Sequence, residues 1–361
     1  MTDKKENTMN KTEPFYMKII KWWLVIGVVM VLGQIVLGGV TRLTGSGLSI
    51  TKWDIVTGTL PPLSAQEWSE TFDLYKATPQ YAKINAGMSM NEFKYIFFWE
   101  FTHRLWARLM GFVFAIPFFI FLAKGWLSPD LKKRLGITVL LAAIVATFGW
   151  IMVASGLIER PWVNAYKLTM HLSLACILYA YLLWTTFKQF QPKIKSFPHL
   201  MWKKWALALT MLIAFQIMLG GIMAGTKAGL QFPTWPDMNG AYLPDILLDG
   251  SMWNMENFSN YDRNPFLVTL TQFLHRNTAY LLVVIGLWFS FKLYKTNHSS
   301  YIKKGSIFLV LVLITQILLG IYTVLACKGS IPVALGVFHQ MGGILLLSAI
   351  LYIDYQVVEE Y

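Results

Sequence analysis

Eight apolar stretches, each about as long as a bilayer is thick, leave this chain few folds to choose from. They run over 20–40, 101–123, 135–153, 168–187, 205–223, 271–291, 307–325 and 333–353. About 20 apolar residues in helical conformation cross roughly 30 Å of hydrocarbon. With 55% hydrophobic and 14% charged residues, the chain is neither an ordinary soluble domain nor a disordered one. The fold class expected is an all-α integral membrane protein of eight transmembrane helices, and 15 Trp, 16 Tyr and 24 Phe supply its interfacial belts.

A net charge of +12 invites a nucleic-acid reading, but the lysines sit in short loops between apolar runs. Lys132-Lys133-Arg134, Lys203-Lys204 and Lys303-Lys304 follow spans two, four and six, and the N-terminal tail is also rich in lysine. Positive loops face the cytoplasm, so both termini are expected there, with no nucleic-acid partner. The N-terminus matches neither a secretory signal nor a transit peptide, which points to direct insertion into a bacterial plasma membrane. Cys176 and Cys327 lie in different apolar runs and build no readable disulfide or thiolate site.

Two long connections, 41–100 and 224–270, fall on the outer side. In the first, Ser64-Ala-Gln-Glu67 after Pro61-Pro62 is a capping box that should start an amphipathic helix. A second helix is expected to begin near Asn91 and run into span two, giving a folded lid rather than a linker.

The chain repeats itself. Gln34-Ile-Val-Leu-Gly38-Gly39 recurs as Gln216-Ile-Met-Leu-Gly220-Gly221, 182 positions later. Gly47-Leu48, Trp53 and Pro62 match Gly229-Leu230, Trp235 and Pro244 at the same separation. His103-Arg104 pairs with His275-Arg276 at 172, and His171 with His339 at 168. Two pseudo-symmetric four-helix bundles in parallel orientation are expected, over 1–190 and 191–361.

Four of six histidines, His103, His171, His275 and His339, lie in or at spans, toward the outer end of an even-numbered one. His199 and His298 sit in inner loops. Each half thus offers two imidazoles at similar depth, the donor set of a bis-histidine heme site. A structural zinc would want four ligands, and no Cys or third His is near. The pairs Gly38-Gly39, Gly220-Gly221 and Gly342-Gly343 read equally as close approaches to a macrocycle or as helix–helix contacts. Arg42, Arg104, Arg108, Lys227 and Arg276 either meet propionates or snorkel to water.

The stretch Trp99–Arg108, W-E-F-T-H-R-L-W-A-R, is the most chemically loaded. Three residues before the histidine stands Glu100, whereas the second half has Gln272. A carboxylate moves protons and an amide does not, so the first site reads as reactive and the second as an electron carrier. The alternative is that Glu100 only pairs with Arg104. Because Gln272 occupies the matching place, the fold is expected to tolerate an amide at 100.

Gly45–Leu63, Asn91–Arg104 and Pro233–Gly240 together make the chain specific enough to be compared with a family. Nearly the whole chain, from Gly38 to His339, resembles the heme A synthases of the long-loop type without cysteines. Ala107 stands where that resemblance leads one to expect glycine, and the cysteine pair of the family's other type is missing from the first outer loop. The resemblance implies oxidation of the C8 methyl group of heme O to the formyl group of heme A, by two hydroxylations and loss of water. It also implies a resident heme b on His275 and His339, with Arg276 beside it. The substrate heme would sit on His103 and His171, with Glu100 as acid–base. Implied partners are the lipid bilayer, heme O synthase and a membrane electron acceptor, with oligomerisation left open. The rivals are a diheme cytochrome relaying electrons from quinol and a heme carrier.

Overall fold

A computed structural model describes residues 13–51, 59–156, 161–191, 200–296 and 299–357. Trp53, His199, His298 and the N-terminal tail lie outside them. Eight described helices are long and apolar enough to cross a membrane. They are α1 (Phe15–Leu43), α4 (Met90–Ala123), α5 (Pro129–Gly156), α6 (Ala165–Phe190), α7 (Leu200–Thr226), α9 (Phe266–Thr296), α10 (Ser300–Leu325) and α11 (Val333–Val357). Three short helices, α2 (Ala65–Lys76), α3 (Pro79–Lys83) and α8 (Met255–Ser259), lie in the two long outer connections. No β-strand occurs among the described residues. The chain is an all-α, multi-span membrane protein.

Each spanning helix is apolar around most of its circumference, and packing decides which face meets protein. Leu109, Phe112, Ile116 and Phe119 of α4 are exposed at three- and four-residue steps, an apolar stripe suited to lipid. The inner helices α1, α6, α7 and α11 pack on one another; α4 and α5 flank the first two, while α9 and α10 flank the last two. The core between them holds Leu24, Leu135, Leu182, Phe289, Leu309 and Ile350, all almost fully buried. Indole donors stitch α1 to α4: Trp106 Nε1 gives to the Met30 carbonyl at 2.9 Å, and Trp23 Nε1 to that of Val113 at 2.9 Å.

Polar contacts join the N-terminal spans to the C-terminal ones. Gln340 on α11 donates to the Ile35 carbonyl on α1 at 2.8 Å, and Gly39 leaves the room its amide needs. Arg42 Nη2 caps the end of α7 by donating to Ala224 and Gly225 at 2.8 and 2.9 Å, a favourable place for a cation.

The first outer connection folds as a lid. Ser64 and Glu67 form the expected capping box, and a second one, Ser89 with Glu92, starts α4 one residue before Asn91. Phe72 and Phe93 stack at 4.7 Å, with Trp68, Tyr75 and Phe97 around them. Gln80 Nε2 donates to the Gly45 carbonyl at 3.0 Å, fastening the lid to the chain just beyond α1.

Candidate functional site

His103 lies on α4, His171 on α6, His275 on α9 and His339 on α11. All four are half-buried, each keeping some accessible surface. His103 and His171 are within electrostatic range of each other. His275 and His339 face directly, with ring centroids 6.2 Å apart and planes at 76°. A metal–imidazole bond of about 2.0 Å, plus about 1.1 Å from nitrogen to ring centre, puts two rings sharing one metal about 6 Å apart. The spacing therefore fits a bis-histidine iron. The Nδ1 atoms of His171, His275 and His339 are buried without a hydrogen bond. Among the described residues, no three His, Cys, Asp or Glu side chains gather as a metal cluster, and both cysteines are free and buried.

Every one of the four rings rests on a glycine of the neighbouring helix. A Cβ at Gly38 would meet His103 Nε2 at 3.3 Å, and one at Gly220 would meet His275 Cε1 at 3.5 Å. At Gly149 and Gly320 the distances to Cε1 of His171 and His339 are both 2.9 Å, closer than side chains approach. One member of each glycine pair makes the helix–helix contact that was one of the two readings. Gly38 and Gly220 seat imidazoles, while Gly39, Gly221 and Gly342 face Gln340, Thr169 and Gln316 as helix–helix contacts.

A glutamine stands one turn before three of these glycines. Gln34 Nε2 donates to the His103 carbonyl at 3.2 Å, Gln216 to that of His275 at 2.9 Å, and Gln316 to that of His339 at 2.9 Å. The pattern is Q-I-x-L-G, at Gln34–Gly38, Gln216–Gly220 and Gln316–Gly320. The first two copies were visible as a repeat. The third escaped because it lies on α10, which the parallel alignment of halves pairs with α5 rather than with α1 or α7.

Glu100 is 2% exposed and fully engaged. Its Oε2 accepts from Ser49 N and Oγ, both at 2.7 Å, and from Ile50 N at 2.8 Å. Its Oε1 accepts from Arg104 Nη2 at 2.6 Å, and the same nitrogen reaches the Ile50 carbonyl at 3.3 Å. The pairing reading is met here: Glu100 pairs with Arg104, one turn from His103. Ser49 and Ile50 were not legible as its partners.

At the matching place, Gln272 Nε2 donates to the Phe232 carbonyl at 2.9 Å. Arg276 gives Nη2 to the same carbonyl at 2.9 Å and Nη1 to the Asp237 carbonyl. Here the loop offers a carbonyl, whereas at Glu100 it offers N–H groups. The amide at 272 is thus no evidence that one is tolerated at 100. Arg104 and Arg276 both anchor outer loops. Arg42 and Lys227 line an outer cavity of about 550 Å³ with Trp162, Tyr261 and Arg263; burial and the nearby Arg42 hold the Lys227 ammonium below its ordinary pKa.

A family model for cytochrome oxidase assembly proteins, COX15-CtaA, matches residues 21–351. Proteins named heme A synthase are among the relatives. That of Bradyrhizobium diazoefficiens is 38% identical over 342 residues, covering 93% of this chain and 90% of the relative. Those of Nitrosospira multiformis and Parvibaculum lavamentivorans are also 38% identical, covering 94% of this chain and 93% and 94% of their own length. With the family model running from within the first span to within the last and taking in all four histidines, the chain belongs to the COX15-CtaA family of cytochrome oxidase assembly proteins.

Proposed function

We propose that the chain is a heme A synthase, an oxidoreductase that converts the C8 methyl group of heme O to the formyl group of heme A. The observation that carries this reading is the pairing of four glycine-seated imidazoles, two in each half, with a carboxylate beside one pair and an amide beside the other. His275 and His339 would hold a resident heme b, with Arg276 bracing the loop above them. Such a heme supplies one-electron chemistry when bound. His103 and His171 would receive heme O, in the N-terminal unit 1–190, and the resident heme would occupy 191–361.

Glu100 is the proton-handling candidate in this scheme, since placing a hydroxyl from water on a methyl group, with two electrons passed to the membrane electron acceptor, releases two protons, and a positioned carboxylate accepts one. It acts from within the Ser49–Ile50–Arg104 network, so taking a proton means yielding one of four donors. The relatives' names support the heme O reaction, and the basic loops support cytoplasmic termini in a bacterial cell membrane with both heme sites toward the outer face. Heme O synthase and a membrane electron acceptor are the partners the reaction calls for.

Coexpression with heme O synthase in a host lacking heme A, followed by heme chromatography, tests the reading. Heme A or hydroxylated heme O is the expected product. Heme b alone in both halves would favour the electron-relaying cytochrome, and unchanged heme O would favour a carrier.

A further inference from the structure

Three of the four imidazoles are held twice, and one is held once. Each rests on a glycine; His103, His275 and His339 are also fixed through their backbone carbonyls by Gln34, Gln216 and Gln316. His171 is the exception. Its glycine seat, Gly149, has the same 2.9 Å approach as Gly320 has to His339. One turn before Gly149, where α10 has Gln316, α5 has Val145. The two sites therefore form an internal comparison: same ring seat, with and without the amide.

These glutamines cost the fold something. Gln34, Gln216 and Gln316 each leave Oε1 buried without a hydrogen bond, and an unmet buried acceptor is destabilising. A residue kept only for packing would be replaced by leucine or methionine without that cost. The three amides share one contact, the carbonyl of a ligand histidine.

We infer that the glutamine of Q-I-x-L-G is a positioning residue that locks a heme-ligating histidine, and that Val145 in its place makes His171 the ligand that releases. This rests on the assignment of His103 and His171 to the substrate heme. A resident heme gains from two locked ligands, as His275 and His339 are. A heme that enters as substrate and leaves as product needs one ligand to stay and one to swing away. Gln34 holds His103, and among the described residues no side-chain amide holds His171, so His171 is the ligand that yields on exchange.

The test uses the full chain in nanodiscs, loaded with heme b and heme O, with transfer of heme to apomyoglobin followed by absorbance. The parent should lose heme in a fast and a slow phase, and His171→Ala should remove the fast one. Val145→Gln should slow the fast phase by about three- to tenfold, the worth of one hydrogen bond, and leave the slow phase alone. Gln316→Val should speed the slow phase by a similar factor and leave the fast phase alone. A general loosening would move both phases together, and that result, or unchanged rates in folded variants, overturns the inference. If Val145→Gln fails to insert, Gln316→Val and Gln216→Val decide on their own. If the fast phase instead disappears with His275→Ala, the assignment of the halves under the proposed function falls, while the effect of the amides is still read from the same rates.

Discussion

Glu100 accepts the N–H of Ile50, whereas Gln272, at the corresponding place one turn before the second histidine, donates to the carbonyl of Phe232. Ile50 and Phe232 are themselves 182 positions apart. The same loop–helix contact is thus built twice with opposite polarity. The guanidinium one turn on, Arg104 or Arg276, reaches the carbonyl of that same loop residue in both cases.

Reversing that polarity is a direct probe. Glu100→Gln would present an NH₂ group to donors on Ser49, Ile50 or Arg104. Conversion of heme O is expected to fall by about 10²–10⁴-fold, the usual worth of a positioned acid–base, with heme b retained. Protease sensitivity should rise in the first outer loop as Ser49 and Ile50 lose their acceptor. Turnover of heme O at the parent rate would remove Glu100 from the chemistry. Gln272→Glu should set a carboxylate against the Phe232 carbonyl and lower stability by about 1–3 kcal/mol, read by thermal melting of the heme b spectrum.

Ligand removal should separate the pairs. His275→Ala and His339→Ala are each expected to abolish the low-spin spectrum of the resident heme. His103→Ala and His171→Ala should leave that spectrum in place and stop heme A formation. A normal bis-histidine spectrum in either C-terminal variant would refute the assignment.

The glycine seats predict a graded response. In Gly320→Ala the new methyl would lie 2.9 Å from His339 Cε1, so the ring must tilt or the helices part. Shifted low-spin EPR signals or lost heme are expected. In Gly220→Ala the contact to His275 is 3.5 Å, an ordinary van der Waals distance, and the spectrum should change far less. Equal effects would mean that the seats do not position the rings.

Topology follows from charge. Reporters fused after Lys133 and Lys303 should read cytoplasmic, and one at Met255 external. A cytoplasmic signal at Met255 would place the heme sites at the opposite face.

The eight spans, the capped helix of the lid and the four membrane histidines were legible in the sequence, because each rests on a local rule. Hydrophobic length sets a span, Ser64 with Glu67 sets a helix start, and a histidine at bilayer depth needs a reason to be there. The spacing of two repeats also pointed to matching sites. What touches what across helices was not legible. That Gln34 and Gln316 hold histidine carbonyls, that Gly149 seats His171, and that Arg42 caps α7 all depend on contacts between helices far apart in the chain. Such contacts depend on helix rotation and crossing, which apolar faces leave open in lipid, since no single stripe is driven inward. The carboxylate at 100 could be seen in the sequence; only the tertiary structure brought Ser49 and Ile50 beneath it, because a loop some fifty residues upstream folds back onto α4 there.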